Sequence, residues 1–254
     1  MLTHSVIKIL LLSVIFCFST QVLSADIQLP GISIDLGNDA GGEEPERVAN
    51  ALKVVLILTV LSLAPALLMV MTSFTRIIII LSMLRHALGM QQTPPNTVII
   101  SLAIFLTLFN MMPVFNEIGS QAFDPYIKGE LETEVAMEKA MAPLRAFMIR
   151  QTREVDLALM VDVSGSDMPE SLETTRTVHL IPAFMLSELK TAFQIGFVIF
   201  LPFLLIDIVV SSILMSMGML MVPPMMISLP IKILMFVLID GWNLVVHSIL
   251  SSFQ

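Results

Sequence analysis

An all-α membrane protein, built as two long helical hairpins flanking a mainly helical acidic segment, follows from three features of the sequence. Of its 254 residues, 56% are hydrophobic and only 13% charged, with a mean hydropathy of +0.90. A soluble globular domain of this size does not sustain that balance, so lipid supplies part of the solvent. The apolar residues are gathered into long runs, 52–88, 98–114, 181–217 and 228–250. Two of the joints between runs carry the same pattern, Gly-Met-x-x-x-Pro-Pro, at Gly89 to Pro95 and at Gly218 to Pro224. Glycine closes a helix and a proline pair prevents its continuation, so each joint turns the chain back on itself.

The elements follow in order. Residues 1–25 read as a cleaved export signal: Lys8, an apolar core from Ile9 to Phe18, then Val22, Leu23, Ser24 and Ala25 before a cut after Ser24 or Ala25. Cys17, the one cysteine, lies inside it, so the mature chain is expected to carry no thiol, disulfide or cysteine metal site. Residues 26–50 mix Gly37, Gly41, Gly42, Pro30 and Pro45 with acids and are expected to form a flexible lead-in. The first hairpin spans 51–115. Its first run would be about 55 Å long as one helix, more than a bilayer needs, so Pro65 and Arg76 are expected to break or redirect it. The second hairpin spans 182–254.

Between the hairpins, residues 116–181 hold twelve Asp and Glu against six Lys and Arg. This is the aqueous part of the chain, and its acidity excludes a nucleic-acid partner, which needs a basic footprint. Because it separates the two hairpins, both tips lie on one side of the membrane. The signal places the acidic segment in the periplasm and the tips toward the cytoplasm, and Arg85 and His86 beside the first tip agree with the positive-inside rule.

Six ionisable residues interrupt the last two apolar runs: Glu188, Lys190, Asp207, Lys232, Asp240 and His247. A charge at the centre of a bilayer costs about 2.5–3.5 kcal/mol on insertion scales, so these side chains should face protein or water. Folding the second hairpin about its midpoint sets Asp207 beside Lys232, a buried pair of opposite sign at one depth. Two aspartates sharing a proton, Asp207 and Asp240, would suggest aspartyl chemistry. Their offset of about 11 Å along straight helices separates them too far for such a dyad. No phosphate loop, metal-ligand spacing or hydrolase elbow is present, so no enzyme, cofactor or metal site is expected.

The second tip is rich in methionine, with Met215, Met217, Met219, Met221, Met225 and Met226 within twelve residues. Methionine is unbranched and adaptable, and seals irregular or changing surfaces. Gly218, Pro223 and Pro224 make the stretch non-helical, which membrane depth tolerates only inside protein or along a cavity.

From Ile181 the sequence reads Ile-Pro-Ala-Phe-Met-Leu-Ser-Glu-Leu-Lys-Thr-Ala-Phe-Gln-Ile-Gly-Phe197, and continues through Gly218 to Pro224 and Asp240-Gly241-Trp242. With Met112-Pro113-Val114-Phe115 and Asp124-Pro125-Tyr126, this strongly resembles the FliP family, the P subunit of the flagellar type III export gate, and its injectisome counterparts. The likeness covers the chain from about residue 48. It implies a non-enzymatic gate in the inner membrane at the flagellar basal body, in which about five copies assemble with Q-type and R-type subunits. Other membrane proteins of the export apparatus are implied neighbours, and unfolded flagellar proteins the cargo. It further implies that Met219, Leu220 and Met221 form a gasket around the pore, and that Phe184, Glu188, Lys190 and Phe193 lie in a region of subunit contacts. An injectisome gate subunit is the alternative, and a small-solute transporter or channel a more distant one.

Overall fold

The computed structural model describes residues 28–29, 32–33, 44–90, 92–165, 174–219 and 222–253. The expected signal segment 1–25 lies outside the described residues. The chain divides into two units, Met1–Ala64 and Pro65–Gln254. In the first, β1 (Gln28–Leu29) pairs antiparallel with β2 (Ile32–Ser33), Gln28 opposite Ser33 and Leu29 opposite Ile32. Everything else described is helix, turn or short connection.

Helix α1 spans Glu44–Val70 and so begins within the stretch read as a flexible lead-in. It also runs through Pro65, which corrects the expected break. A proline removes one backbone hydrogen bond without obliging the chain to leave the helix. The interruption falls instead at residues 71–73, before α2 (Phe74–Ala87). There the Thr72 hydroxyl donates to the Met69 carbonyl at 3.2 Å and accepts the Phe74 N–H at 3.5 Å, offering the backbone a non-helical alternative. Arg76, the other expected breaker, lies within the first turn of α2.

Helix α3 (Asn96–Ile118) leads through a π-helical turn (Gly119–Phe123) into the short α4 (Asp124–Ile127). The acidic segment continues as α5 (Thr133–Gln151) and α6 (Glu154–Val163). Helix α7 (Thr177–Ser216) is 40 residues long and contains Pro182 and Pro202. The return arm is two helices, α8 (Met225–Leu238) and α9 (Gly241–Ser251), bent by 69° where one continuous arm was expected. Among the described residues, two stretches, Asn96–Ile127 and Thr177–Ser216, are long and apolar enough to cross a membrane, or three if the bent pair counts as one span.

The two turns that share a sequence pattern share a geometry. At the first, Gly89 has φ +77°, its N–H reaches the His86 carbonyl, and the Met90 N–H reaches that of Arg85. At the second, Gly218 has φ +72°, its N–H reaches the Met215 carbonyl, and the Met219 N–H reaches that of Leu214. Both are the paired closure of a helix by a left-handed glycine, which satisfies carbonyls the helix leaves open. Arg85 donates to Asn96 Oδ1 and so ties the first turn to the start of α3.

Two apolar clusters hold the second unit together. One joins Ile77, Ile80 and Leu84 of α2 to Ala103 of α3, Phe203 of α7, Phe236 of α8 and Ile249 of α9. The other joins Met111 and Val114 of α3 to Phe147 and Met148 of α5 and to Leu180 and Phe184 of α7. Phe253 packs against both. Helices α2 and α7 cross closely at Gly196, where a Cβ would lie 2.4 Å from the sulfur of Met83.

Candidate functional site

Arg76 and Glu188 form the most buried polar site described. Arg76 is 1% exposed and Glu188 is 0% exposed. Arg76 Nε donates to Glu188 Oε2 at 2.9 Å, and Nη2 to Glu188 Oε1, a two-pronged pairing of guanidinium and carboxylate. The same Nη2 donates to Gln151 Oε1 at 3.0 Å, while Nη1 donates to the Ser252 carbonyl at 2.8 Å and its hydroxyl at 3.1 Å. Phe253 lies against the guanidinium with 4.0 Å between the charged carbon and the ring centroid, and its carbonyl accepts from Gln151 Nε2. One cation thus ties α2 to the end of α5, the first third of α7 and the residues just past α9.

The neighbouring residue on α7 extends this junction into the acidic segment. Ser187 donates to Asp156 Oδ2 at 2.6 Å and accepts the Arg153 N–H at 3.0 Å. The Arg153 side chain bonds the same Asp156 oxygen through Nε and Nη2. Burial works against ionisation of Asp156, but the hydrogen bonds from Ser187 and Arg153 outweigh it and hold the carboxyl below its ordinary range.

At the other end of α7, Lys232 Nζ donates to Asp207 Oδ2 at 2.6 Å and to the Ala87 carbonyl at 3.0 Å. The Lys232 side chain is 6% exposed and that of Asp207 is 40% exposed, so the pair is buried on the lysine side only. The Ala87 carbonyl belongs to the open C-terminal end of α2, which carries partial negative charge and adds to the attraction. This contact also sets the two hairpin turns at the same end of the unit. Asp240 follows eight residues after Lys232, at the bend between α8 and α9.

Of the residues expected at subunit contacts, Phe184 and Glu188 are wholly buried within the chain, whereas Lys190 and Phe193 face outward. Phe184 packs edge-on against Phe147 with ring centroids 5.9 Å apart. Of the expected gasket, Met219 is exposed, with Met217, Met225 and Met226 exposed around it, and Leu220 and Met221 lie outside the described residues.

The model of the FliP family matches residues 57–249. The chain belongs to the FliP family. The flagellar biosynthetic protein FliP of Bacillus subtilis (strain 168) is 52% identical over 216 residues, 85% of this chain and 98% of its own. That of Pectobacterium carotovorum is 48% identical over 226 residues, 89% of this chain and 86% of its own. The Aquifex aeolicus (strain VF5) protein is 41% identical over 251 residues, 98% of both chains.

The stretch shared with the family holds the buried Arg76–Glu188 pair, the half-buried Lys232–Asp207 pair, the methionine-rich turn and the bend at Asp240. Sequence reasoning did not find the Arg76–Glu188 pair. Its partners lie 112 positions apart, and only the unfavourable cost of a lone arginine in an apolar run pointed to a partner. The bend did carry a local signal, the Asp-Gly pair at 240–241, which marks a turn.

Proposed function

We propose that this chain is a core subunit of the flagellar type III protein export gate in the bacterial inner membrane. About five copies, with Q-type and R-type subunits, form a gated channel for unfolded flagellar proteins. The observation that carries the reading is membership of the FliP family over residues 57–249, together with relatives named as flagellar biosynthetic proteins.

The physical character of the chain supports it. Forty residues of helix extend about 60 Å, twice the roughly 30 Å hydrocarbon core of a bilayer. One face of α7 packs inside the chain, but exposed apolar side chains, from Phe193 to Met215, run along the rest of it, so lipid alone does not cover it and neighbouring subunits take the remainder. Helices α5 and α6, which belong to the acidic segment, are assigned to the periplasm, and the two turns, which lie together at the opposite end, to the cytoplasmic side. The methionine-rich turn is the seal. A pathway for many different unfolded sequences needs a soft, apolar, adaptable constriction rather than a selective site, and methionine provides one.

The test is deletion of the gene in its host, with hook protein and flagellin measured in the medium. Loss of both, restored by the intact sequence, is the expected result. Normal secretion of both would overturn the proposal.

A further inference from the structure

The return arm of the second hairpin is fastened at both ends and broken in the middle. At one end Lys232 holds α8 to the Ala87 carbonyl and to Asp207. At the other, Ser252 and Phe253 hold the end of α9 to Arg76 and Gln151. Ala87 and Arg76 are eleven residues apart on α2, about 16 Å of helix. Lys232 and Ser252 are twenty residues apart and would span about 30 Å if the arm were one straight helix. With arms of about 12 and 18 Å on either side of Asp240, the bend of 69° brings that span to about 25 Å and so takes up about a third of the difference.

The break is built from side chains as well as length. Asp240 has φ +50° and ψ +54°, and it is the one described residue other than glycine with a positive φ. Left-handed backbone is unfavourable for L-residues, and aspartate is among the few that tolerate it. Gly241 follows, and a Cβ there would lie 2.2 Å from the ring of Phe236. That ring therefore sits in the space a side chain would fill, and Trp242 meets it edge-on at 5.5 Å. The bend depends on a residue able to turn left-handed next to one with no side chain.

The two fastenings are unequal. The α9 end is tied to a guanidinium that is itself buried, and Gly241, Val245 and Ile249 bury one face of the helix. Helix α8 also buries three residues, Ser228, Lys232 and Phe236, but its ion pair rests on a half-exposed carboxylate. Its far end leads directly into the methionine-rich turn.

We infer that Asp240 and Gly241 are a hinge, about which α8 swings with the methionine turn while α9 stays fixed, and that the contact of Lys232 with Asp207 and Ala87 is the latch holding α8 down. This rests on the gate reading for its purpose, and on the elbow alone for its mechanics. Unlatching lets α8 straighten toward the line of α9 and carries the turn at its end to a new position.

The test measures distance in the assembled complex, purified from membranes in detergent. Cys17→Ser is combined with Met226→Cys and Ser251→Cys, both sites exposed, and the spin-labelled chain is diluted among unlabelled copies. Native protein is expected to give one narrow distribution by pulsed electron resonance. Asp207→Asn with Lys232→Met removes the latch without leaving a lone charge, and is expected to add a component longer by up to about 6 Å, the difference between an arm bent by 69° and a straight one. Phe236→Ala, which frees the space over Gly241 and keeps both charges, provides a second route and is expected to lengthen the distribution in the same direction. Distributions that superimpose on the native one in both variants would overturn the hinge. The hinge fails on distance and the gate reading on export, so the two are tested separately.

Discussion

Removing one partner of the Arg76–Glu188 pair should cost far more than removing both. Arg76 makes five hydrogen bonds, two to Glu188, two to Ser252 and one to Gln151, and both charged side chains are almost wholly out of contact with solvent. Truncating one member of a buried pair strands the other charge and typically costs about 3–5 kcal/mol, whereas replacing both by apolar residues of similar volume is near neutral or favourable. Arg76→Leu and Glu188→Leu should each destabilise by about 3–5 kcal/mol, a sum of roughly 6–10 kcal/mol if they acted independently. The double variant should cost no more than about 3 kcal/mol, from the bonds to Ser252 and Gln151 that are lost with the arginine. Unfolding of the detergent-purified protein followed by circular dichroism, arranged as a double-mutant cycle, measures the coupling. Additive losses would refute the reasoning, because the two charges would then not be neutralising one another.

The remaining predictions concern separate parts of the chain. Gly89→Ala and Gly218→Ala should each cost about 1–2 kcal/mol, because both positions are left-handed, and thermal unfolding would show it. Asp156 has its carboxyl held below the ordinary range, so its contribution to stability is fully present above the usual aspartate range and is lost as pH falls through the lowered value. Acid unfolding of Asp156→Asn should lack that component, and an unchanged acid profile would contradict the assignment. Gly196→Ala should be destabilising, because its Cβ meets Met83, and Met83→Ala should relieve much of that loss in a stability assay. Replacing Met219, Leu220 and Met221 by Ala should make cells leak small solutes while export continues, as measured by entry of a membrane-impermeant dye.

What the sequence makes legible is what short-range chemistry determines. The glycines that close α2 and α7 sit in a repeated pattern whose meaning is local, so both turns could be placed from the chain alone. The meeting of Asp207 with Lys232 is nearly as local, since a hairpin turn reflects one arm on the other and the two residues are similarly far from it. Nothing comparable joins Arg76 to Glu188, whose encounter depends on how α2 of one hairpin packs on α7 of the other. For the same reason Arg76 looked like an interruption of its helix, when its charge is neutralised inside the fold. The break before α2 was missed because Thr72 and Ser73 are weaker signals than the proline upstream. The elbow at Asp240 was missed because apolar character continues across it, although the Asp-Gly pair marks the place.

The most direct measurement is to stall a flagellar substrate during export and place a photo-crosslinking amino acid at Met219, with Phe105 on α3 as the control. The account predicts that the stalled substrate is captured from Met219 and not from Phe105. Equal capture from both positions, or none from Met219 while substrate is demonstrably stalled, would contradict a channel sealed by the methionine turn.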